Sequence, residues 1–113
     1  MPELKKKPTL GDLQKYIEAV CCERGWNRDS HLVKFLLFSE EIGELAKAMR
    51  KVTKLYAEPS KYKETELEKR RELEGEFADV LNYLLDLANH FDIDLEAAFR
   101  AKEEVNKKRK WAQ

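Results

Sequence analysis

The sequence predicts an all-α protein, a four-helix bundle-like single domain covering residues 1–113. Three observations support this class. Apolar residues recur at intervals of three and four positions, which is the spacing of one helix face. The chain has only four Gly and three Pro, and none breaks the period of its two longest apolar segments. No stretch alternates polar and apolar residues for long enough to indicate a sheet. We therefore expect four helices, with residues 1–8 flexible and residues 53–66 forming a charged loop.

The first predicted helix runs from about Leu10 to Arg24 and has sequence signals at both ends. Thr9 is a suitable N-cap, and Asp12 follows it at the position that completes a capping box. Gly25 is expected to end the helix, because glycine adopts the left-handed conformation of a helix end without strain.

The second predicted helix starts after Asp29 and Ser30, either of which can cap it, and ends near Val52. Its N-terminal half is apolar nearly all round, because Leu36 and Leu37 widen the apolar stripe there. That pattern is expected of a central, buried helix.

The third predicted helix runs from about Leu67 to Phe91, and the fourth from Leu95 to about Lys108 after a capping Asp94. The apolar arc of the third helix covers about half of its circumference. A small bundle buries less than that within one chain. The wide arc therefore suggests that this helix also meets another subunit.

The composition excludes several classes of protein. The chain has 22 basic and 22 acidic side chains, whereas a protein that coats DNA or RNA normally carries a basic excess. No apolar run is longer than the four residues of Phe35–Phe38, and a membrane span needs about 20. The only cysteines, Cys21 and Cys22, are adjacent and cannot form a disulfide framework. We therefore expect no polynucleotide partner, no membrane segment and a cytoplasmic location.

Two pairs of acidic residues have the spacing that places both members on one helix face. Glu41 and Glu44 lie three residues apart in helix two, and Glu76 and Asp79 repeat that spacing in helix three. Both pairs border the apolar side of their helix, whereas Glu40 lies further out. Carboxylates that face each other repel, and a divalent cation removes that cost. All-oxygen ligands suit hard cations, so we expect Mg²⁺, with Mn²⁺ as the alternative ion.

These acids also have other interpretations. A chain with 22 acids contains such pairs by chance, and they then lie on a solvated face. A di-iron bundle would need Glu-x-x-His pairs, and neither His31 nor His90 follows a Glu by three residues. Gly43 favours a site, because glycine inside a helix costs about 1 kcal/mol. Its presence there suggests close approach by another helix or a ligand.

Helix four carries polar residues on its apolar face. Lys102 and Asn106 share that face with Phe99 and Val105 by their spacing. A long lysine stem at the edge of a bundle can reach solvent from such a position. The functional alternative is a cation directed at phosphate oxygens, with an amide that completes a metal or ligand site. Acids that bind Mg²⁺ beside a lysine that reaches phosphate are typical of phosphoryl chemistry.

The sequence resembles the MazG-like family of all-α nucleoside triphosphate pyrophosphohydrolases, which includes the small dCTP pyrophosphatases. The family's E-E-x-x-E motif is similar to the segment that begins at Glu40, and its E-x-x-D motif to the segment that begins at Glu76. The late Lys and Asn of the family are similar to Lys102 and Asn106, and an upstream Arg-x-Trp segment ends here at Trp26. The likeness covers most of the chain. Residues 52–71 form a longer, more charged connection than the family usually has.

The resemblance implies a role for each of these residues. It places Mg²⁺ on Glu41, Glu44, Glu76 and Asp79. The catalytic set would be Glu40, Glu41, Glu44 and Lys102, in which Glu40 positions or activates water. Substrate-binding residues would be Trp26, Lys102 and Asn106, with the indole lining a base or sugar pocket. Trp26 could instead be a packing anchor at the helix entrance.

The resemblance implies an Mg²⁺-dependent enzyme that converts a (deoxy)nucleoside triphosphate to the monophosphate and pyrophosphate, in nucleotide-pool house-cleaning. It also implies a homodimer or homotetramer. Two alternatives stay open at this point. The chain could be a non-enzymatic helical adaptor whose acidic strip binds a basic partner, or a nucleotide-binding regulator without turnover.

Overall fold

The structure is a computed structural model that describes residues 1–55 and 64–109. The described residues form four α-helices and no strand, which confirms the all-α class. The α-helices are α1 (Leu10–Arg24), α2 (His31–Thr53), α3 (Glu66–His90) and α4 (Leu95–Lys107), and a short 3₁₀ helix covers Trp26–Arg28. Most of the predicted charged loop lies outside the described residues.

The helix ends are set by the capping residues that the sequence indicates. The Thr9 hydroxyl accepts a hydrogen bond from the Asp12 N–H at 3.1 Å, and the Asp12 carboxylate accepts one from the Thr9 N–H at 3.0 Å. This capping box, with an ion pair to Lys5, lowers the pKa of Asp12 to about 2. Gly25 ends α1 with φ 76°. Ser30 is the N-cap of α2.

The chain divides into two compact units, and the boundary between them falls inside α3. The first unit comprises Met1–Arg28 and Leu85–Gln113, and the second comprises Asp29–Leu84. A single domain therefore stays a prediction from the sequence.

The first unit has a small apolar core. Ile17, Cys21 and Leu85 are buried together, and Leu85 is 1% exposed. Partly buried apolar side chains of α1 and α4 surround them: Leu10, Leu13, Tyr16 and Leu95. Both cysteines are free thiols; Cys21 is buried and Cys22 is exposed. Cys21 therefore acts as a small apolar core residue.

A buried glutamine ties α1 to the turn between α3 and α4. The Gln14 amide donates to Asn89 Oδ1 at 3.1 Å and to the Ile93 carbonyl at 2.8 Å. Its oxygen accepts the Leu95 N–H at 2.9 Å. Asn89 in turn donates to the Gln14 carbonyl at 2.8 Å. The amide group thus satisfies the backbone at the start of α4.

In the second unit, α2 buries charged rather than large apolar side chains. Lys34 and Lys51 are 4% and 8% exposed, whereas Phe35 and Leu36 are 59% and 69% exposed. The expectation of a central, buried helix is therefore wrong for the single chain. The physical reason is that the side of α2 that is covered within this unit carries long lysine stems and Ala48.

No other helix among the described residues approaches Gly43 closely, whereas approach by a ligand or a second subunit stays a prediction. A Cβ added there would meet no described atom within 4 Å, so no close approach requires glycine at this position. None of the helices in the described ranges is long and apolar enough to cross a membrane.

Candidate metal centre

Three carboxylates converge between α2 and α3. Glu41 comes from α2, and Glu76 and Asp79 come from α3, one helical turn apart. One oxygen from each lies within 4.8 Å of the others. Glu41 and Glu76 are half-buried, and Asp79 is exposed. All three residues lie in the second compact unit, and we call them the acid triad.

The electrostatics of the acid triad oppose full ionisation. Partial burial raises the pKa of Glu41 above its usual value, and the negative charges of Asp79 and Glu76 raise it further. A hydrogen bond between the Glu41 and Glu76 carboxyl groups acts in the same direction, because one of the two must carry the proton. The fold therefore holds acidic groups together at a cost that a bound cation would remove.

The acid triad fits a hard divalent cation. All of its donors are carboxylate oxygens, the ligands that Mg²⁺ and Mn²⁺ prefer. The Oε2 atom of Glu76 is buried and accepts no hydrogen bond from the described residues. Buried acceptors are normally satisfied, so this oxygen is suited to a cation. The group contains no histidine.

Two other predicted acids lie outside the acid triad. Glu40 and Glu44 are both exposed, and neither belongs to the converging group. Three residues turn a helix by about 300°, and one residue by about 100°. Glu44 is therefore about 60° around α2 from Glu41, the same angle that separates Glu76 from Asp79 on α3, and Glu40 is about 100° from Glu41. Their catalytic and metal-binding roles stay predictions.

The other predicted site residues belong to the first compact unit. The side chain of Lys102 is exposed and that of Asn106 is half-buried. Trp26 is 50% exposed, and the Arg24 guanidinium lies 4.9 Å from its ring centroid. The contacts of these three residues with a substrate stay predictions.

Sequence reasoning missed a buried ion-pair group beside α3. The Lys51 ammonium lies 3.1 and 3.2 Å from the two carboxylate oxygens of Glu72 and 3.3 Å from Glu64. Burial alone would lower the pKa of Lys51, but its hydrogen bonds to Glu72 and Glu64 raise it. The signal was available, because Glu72 precedes Glu76 by four residues on one face of α3.

Fold and site together describe a helical protein in which three carboxylates that could hold a cation converge from two helices. Residues 29–111 match the family model described as the MazG nucleotide pyrophosphohydrolase domain. The chain belongs to this family. It is an enzyme of the nucleoside triphosphate pyrophosphatase class, a hydrolase of nucleotides.

Similar proteins agree with this assignment. The chain is 32% identical over 105 residues to human dCTP pyrophosphatase 1, covering 91% of this chain and 59% of the human protein. It is 29% identical over 100 residues to the uncharacterized protein YvdC of Bacillus subtilis, covering 94% of that protein. A crystal structure described as a candidate pyrophosphatase, YPJD from Bacillus subtilis, matches with a TM-score of 0.69 and 29% identity. That match covers 94% of this chain and 100% of the other.

Proposed function

We propose that the protein is an Mg²⁺-dependent pyrophosphohydrolase that converts a (deoxy)nucleoside triphosphate to the monophosphate and pyrophosphate. The observation that carries this proposal is the acid triad, which brings three carboxylates within 4.8 Å in a chain of the MazG family. The similarity to a protein named dCTP pyrophosphatase 1 supports a deoxynucleotide substrate. Nucleotide-pool house-cleaning in the cytoplasm would follow from that chemistry.

Each residue of the site has a distinct task in this proposal. Glu41, Glu76 and Asp79 would hold the cation, with Glu44 on the next turn of α2 as the fourth predicted ligand. A bound Mg²⁺ supplies a Lewis acid that offsets charge on phosphate oxygens. Glu40 is an exposed carboxylate able to orient a water or accept its proton.

The substrate contacts would come from three further residues. Lys102 offers an ammonium, and Asn106 offers an amide that both donates and accepts. Both suit phosphate oxygens, because these oxygens are negatively charged and accept hydrogen bonds from an ammonium or an amide N–H. Trp26, half exposed, offers an aromatic face on which a base can stack.

We also propose that the protein works as a homodimer or homotetramer. Large apolar side chains of α2 and α3 are exposed in the single chain: Leu32, Phe35, Leu36, Ile42, Phe77 and Leu81. Contiguous exposed apolar surface is unusual on a monomer and marks interaction sites. Phe77 and Leu81 belong to the apolar arc of α3 from which the sequence predicts contact with another subunit.

The proposal is tested with a panel of nucleoside triphosphates that begins with dCTP. Each is incubated with the protein and Mg²⁺, and the products are separated by anion-exchange chromatography. We expect one or more substrates to give the monophosphate and pyrophosphate in equal amounts, with no reaction in excess EDTA. Diphosphate and phosphate as the products would contradict this bond-cleavage assignment.

The non-enzymatic alternatives give different results in the same assay. A helical adaptor neither binds nor hydrolyses any nucleotide, even at high protein concentration. A nucleotide-binding regulator binds a triphosphate by calorimetry but leaves it intact, and Glu44→Gln changes nothing. Either pattern would replace the enzymatic proposal.

A further inference from the structure

Lys51 is a buried cation that links α2 to α3. It belongs to the last turns of α2, and its ammonium bonds Glu72 on α3 and Glu64 just before that helix. The Lys51 side chain is 9% exposed, whereas those of Glu64 and Glu72 are 35% exposed. The buried ammonium donates hydrogen bonds to two carboxylates, so the link between the helices consists of charge-assisted hydrogen bonds with a defined direction.

This link lies on the helix faces that carry the acid triad. On α3, Glu72 precedes Glu76 by four residues and Asp79 by seven, so the three share one face. On α2, buried Ala48 connects the two groups, since it follows Glu41 by seven residues and precedes Lys51 by three. The same pair of helix faces therefore holds the triad and the link.

The two groups act on the helices in opposite directions. When it is ionised, Glu41 repels Glu76 and Asp79 across the gap between α2 and α3, and after partial burial this repulsion is the second reason why the pKa of Glu41 is raised. Lys51 attracts Glu72 across the same gap. Without a link of this kind, like charges on the two helices favour their moving apart, and Glu41 would then separate from Glu76 and Asp79 before any cation arrived.

We propose that Lys51 is a positioning residue for the metal centre. Its ammonium holds α2 against α3 so that Glu41 meets Glu76 and Asp79 in a preformed cation site. This inference rests on the proposed metal site, and it adds a function for a residue that no motif includes. Lys51 itself touches neither cation nor substrate in this role.

Whether cation affinity rises or falls when the Lys51 charge is removed distinguishes a positioning role from simple electrostatic repulsion of the cation. Removing a positive charge near a cation site should strengthen cation binding by Coulomb attraction alone. Removing a positioning contact should weaken it; groups that hydrogen-bond metal ligands directly contribute about 10–100-fold to metal affinity, and that range sets the scale for a contact that holds the ligand-bearing helices together. Lys51→Met tests the sign, since methionine preserves most of the stem and deletes the ammonium.

The experiment is a Mn²⁺ titration of the nucleotide-free protein, followed by the electron paramagnetic resonance signal of free Mn²⁺. We expect Lys51→Met to raise the Kd for Mn²⁺ about 10–100-fold relative to wild type. Lys51→Arg should recover most of the affinity, since a guanidinium can pair with the Glu72 carboxylate. Lys69→Met is the matched control: Lys69 is equally buried, but its ion pair with Glu66 lies within α3.

A second pair of variants covers the case in which Lys51→Met fails to fold. Glu72→Gln breaks the link at its other end, and Glu74→Gln removes an equal charge from an ion pair within α3. We expect the first to weaken Mn²⁺ binding about tenfold more than the second. Equal effects of the two would overturn the proposal.

The outcomes distinguish this inference from the proposed function. Unchanged or tighter Mn²⁺ binding by folded Lys51→Met, with normal binding by wild type, overturns the role of Lys51 alone. An equal loss in Lys69→Met also overturns it, since buried lysines in general would then be responsible. Absence of Mn²⁺ binding by wild type would overturn the metal site and the positioning role together.

Discussion

Glu41 is a residue whose ionised form the fold disfavours. Partial burial and the neighbouring carboxylates of Asp79 and Glu76 raise its pKa, so the folded protein holds a proton there that the unfolded chain releases. In that pH window the native state binds more protons than the unfolded state. Stability of the metal-free protein therefore falls as the pH rises through the raised pKa of Glu41.

Replacement of Glu41 by glutamine should separate stability from metal binding. Glu41→Gln removes the repulsion, so we expect a higher melting temperature than wild type in EDTA at pH 8. The difference between the melting temperatures of Glu41→Gln and wild type should become smaller as the pH is lowered through the raised pKa of Glu41, because wild type then binds a proton at Glu41. Thermal unfolding followed by circular dichroism measures both trends. A lower melting temperature at pH 8 would contradict the assigned electrostatics; Glu18→Gln, on α1, is the control for loss of one acid.

At the scale of single elements, helix bounds were well predicted because they depend on local signals. Thr9, Ser30 and Asp94 each cap a helix at the predicted place. Which face of a helix is buried was predicted less well. Hydropathy counts lysine as polar, whereas Lys34 and Lys51 bury their stems on α2.

The candidate site was predictable in part, because the spacing of residues along one helix is also a local signal. The three-residue spacing of Glu76 and Asp79 fixes their shared face, and the structure brings Glu41 to that pair. Lys51 and Glu64 do not lie on the same helix, so the periodicity of the sequence cannot predict their contact. Glu44 has the same spacing from Glu41 but is exposed and lies outside the acid triad, so spacing alone does not decide which acids of a helix join the site.

The contact of α1 with the α3–α4 turn gives an element-scale prediction. Gln14→Ala would leave Asn89 Oδ1, the Ile93 carbonyl and the Leu95 N–H without the partner that the Gln14 side chain supplies. A buried polar group without a partner costs about 1–3 kcal/mol, so we expect at least that loss in the free energy of unfolding. Urea denaturation measures it, and Lys15→Ala, at an exposed position on α1, serves as the control. Equal midpoints for the two variants would contradict the role of Gln14.

At the scale of the whole molecule, the exposed apolar side chains of α2 and α3 require an explanation beyond the single chain. Those of α3 belong to the wide arc that the sequence indicates, and among the described residues of the second unit Ala48 is the only apolar residue that is buried. Apolar area removed from water stabilises an assembly by about 25 cal/mol per Å² before the costs of association. Self-association is the arrangement that would cover this surface.

Assembly is tested by a charge placed in the exposed stripe. Leu36→Glu should shift the protein toward monomer in sedimentation-velocity experiments at micromolar concentration, because a buried unpaired carboxylate opposes association. Arg70→Glu, an exposed charge reversal on α3, is the control and should leave the sedimentation coefficient unchanged. A monomeric wild type, or an unaltered oligomer in Leu36→Glu, would contradict an interface at this stripe.

The central claim is that the acid triad carries Mg²⁺-dependent hydrolysis of a nucleoside triphosphate. The most direct measurement is pyrophosphate release by Asp79→Asn at saturating Mg²⁺, with the best substrate of the wild-type panel. Since outer partners of metal ligands already contribute 10–100-fold, loss of a ligand charge should lower turnover by at least about 100-fold. The fold should be retained, because Asp79 is exposed and its charge raises the pKa of Glu41. Full turnover by folded Asp79→Asn would contradict the assignment of the site.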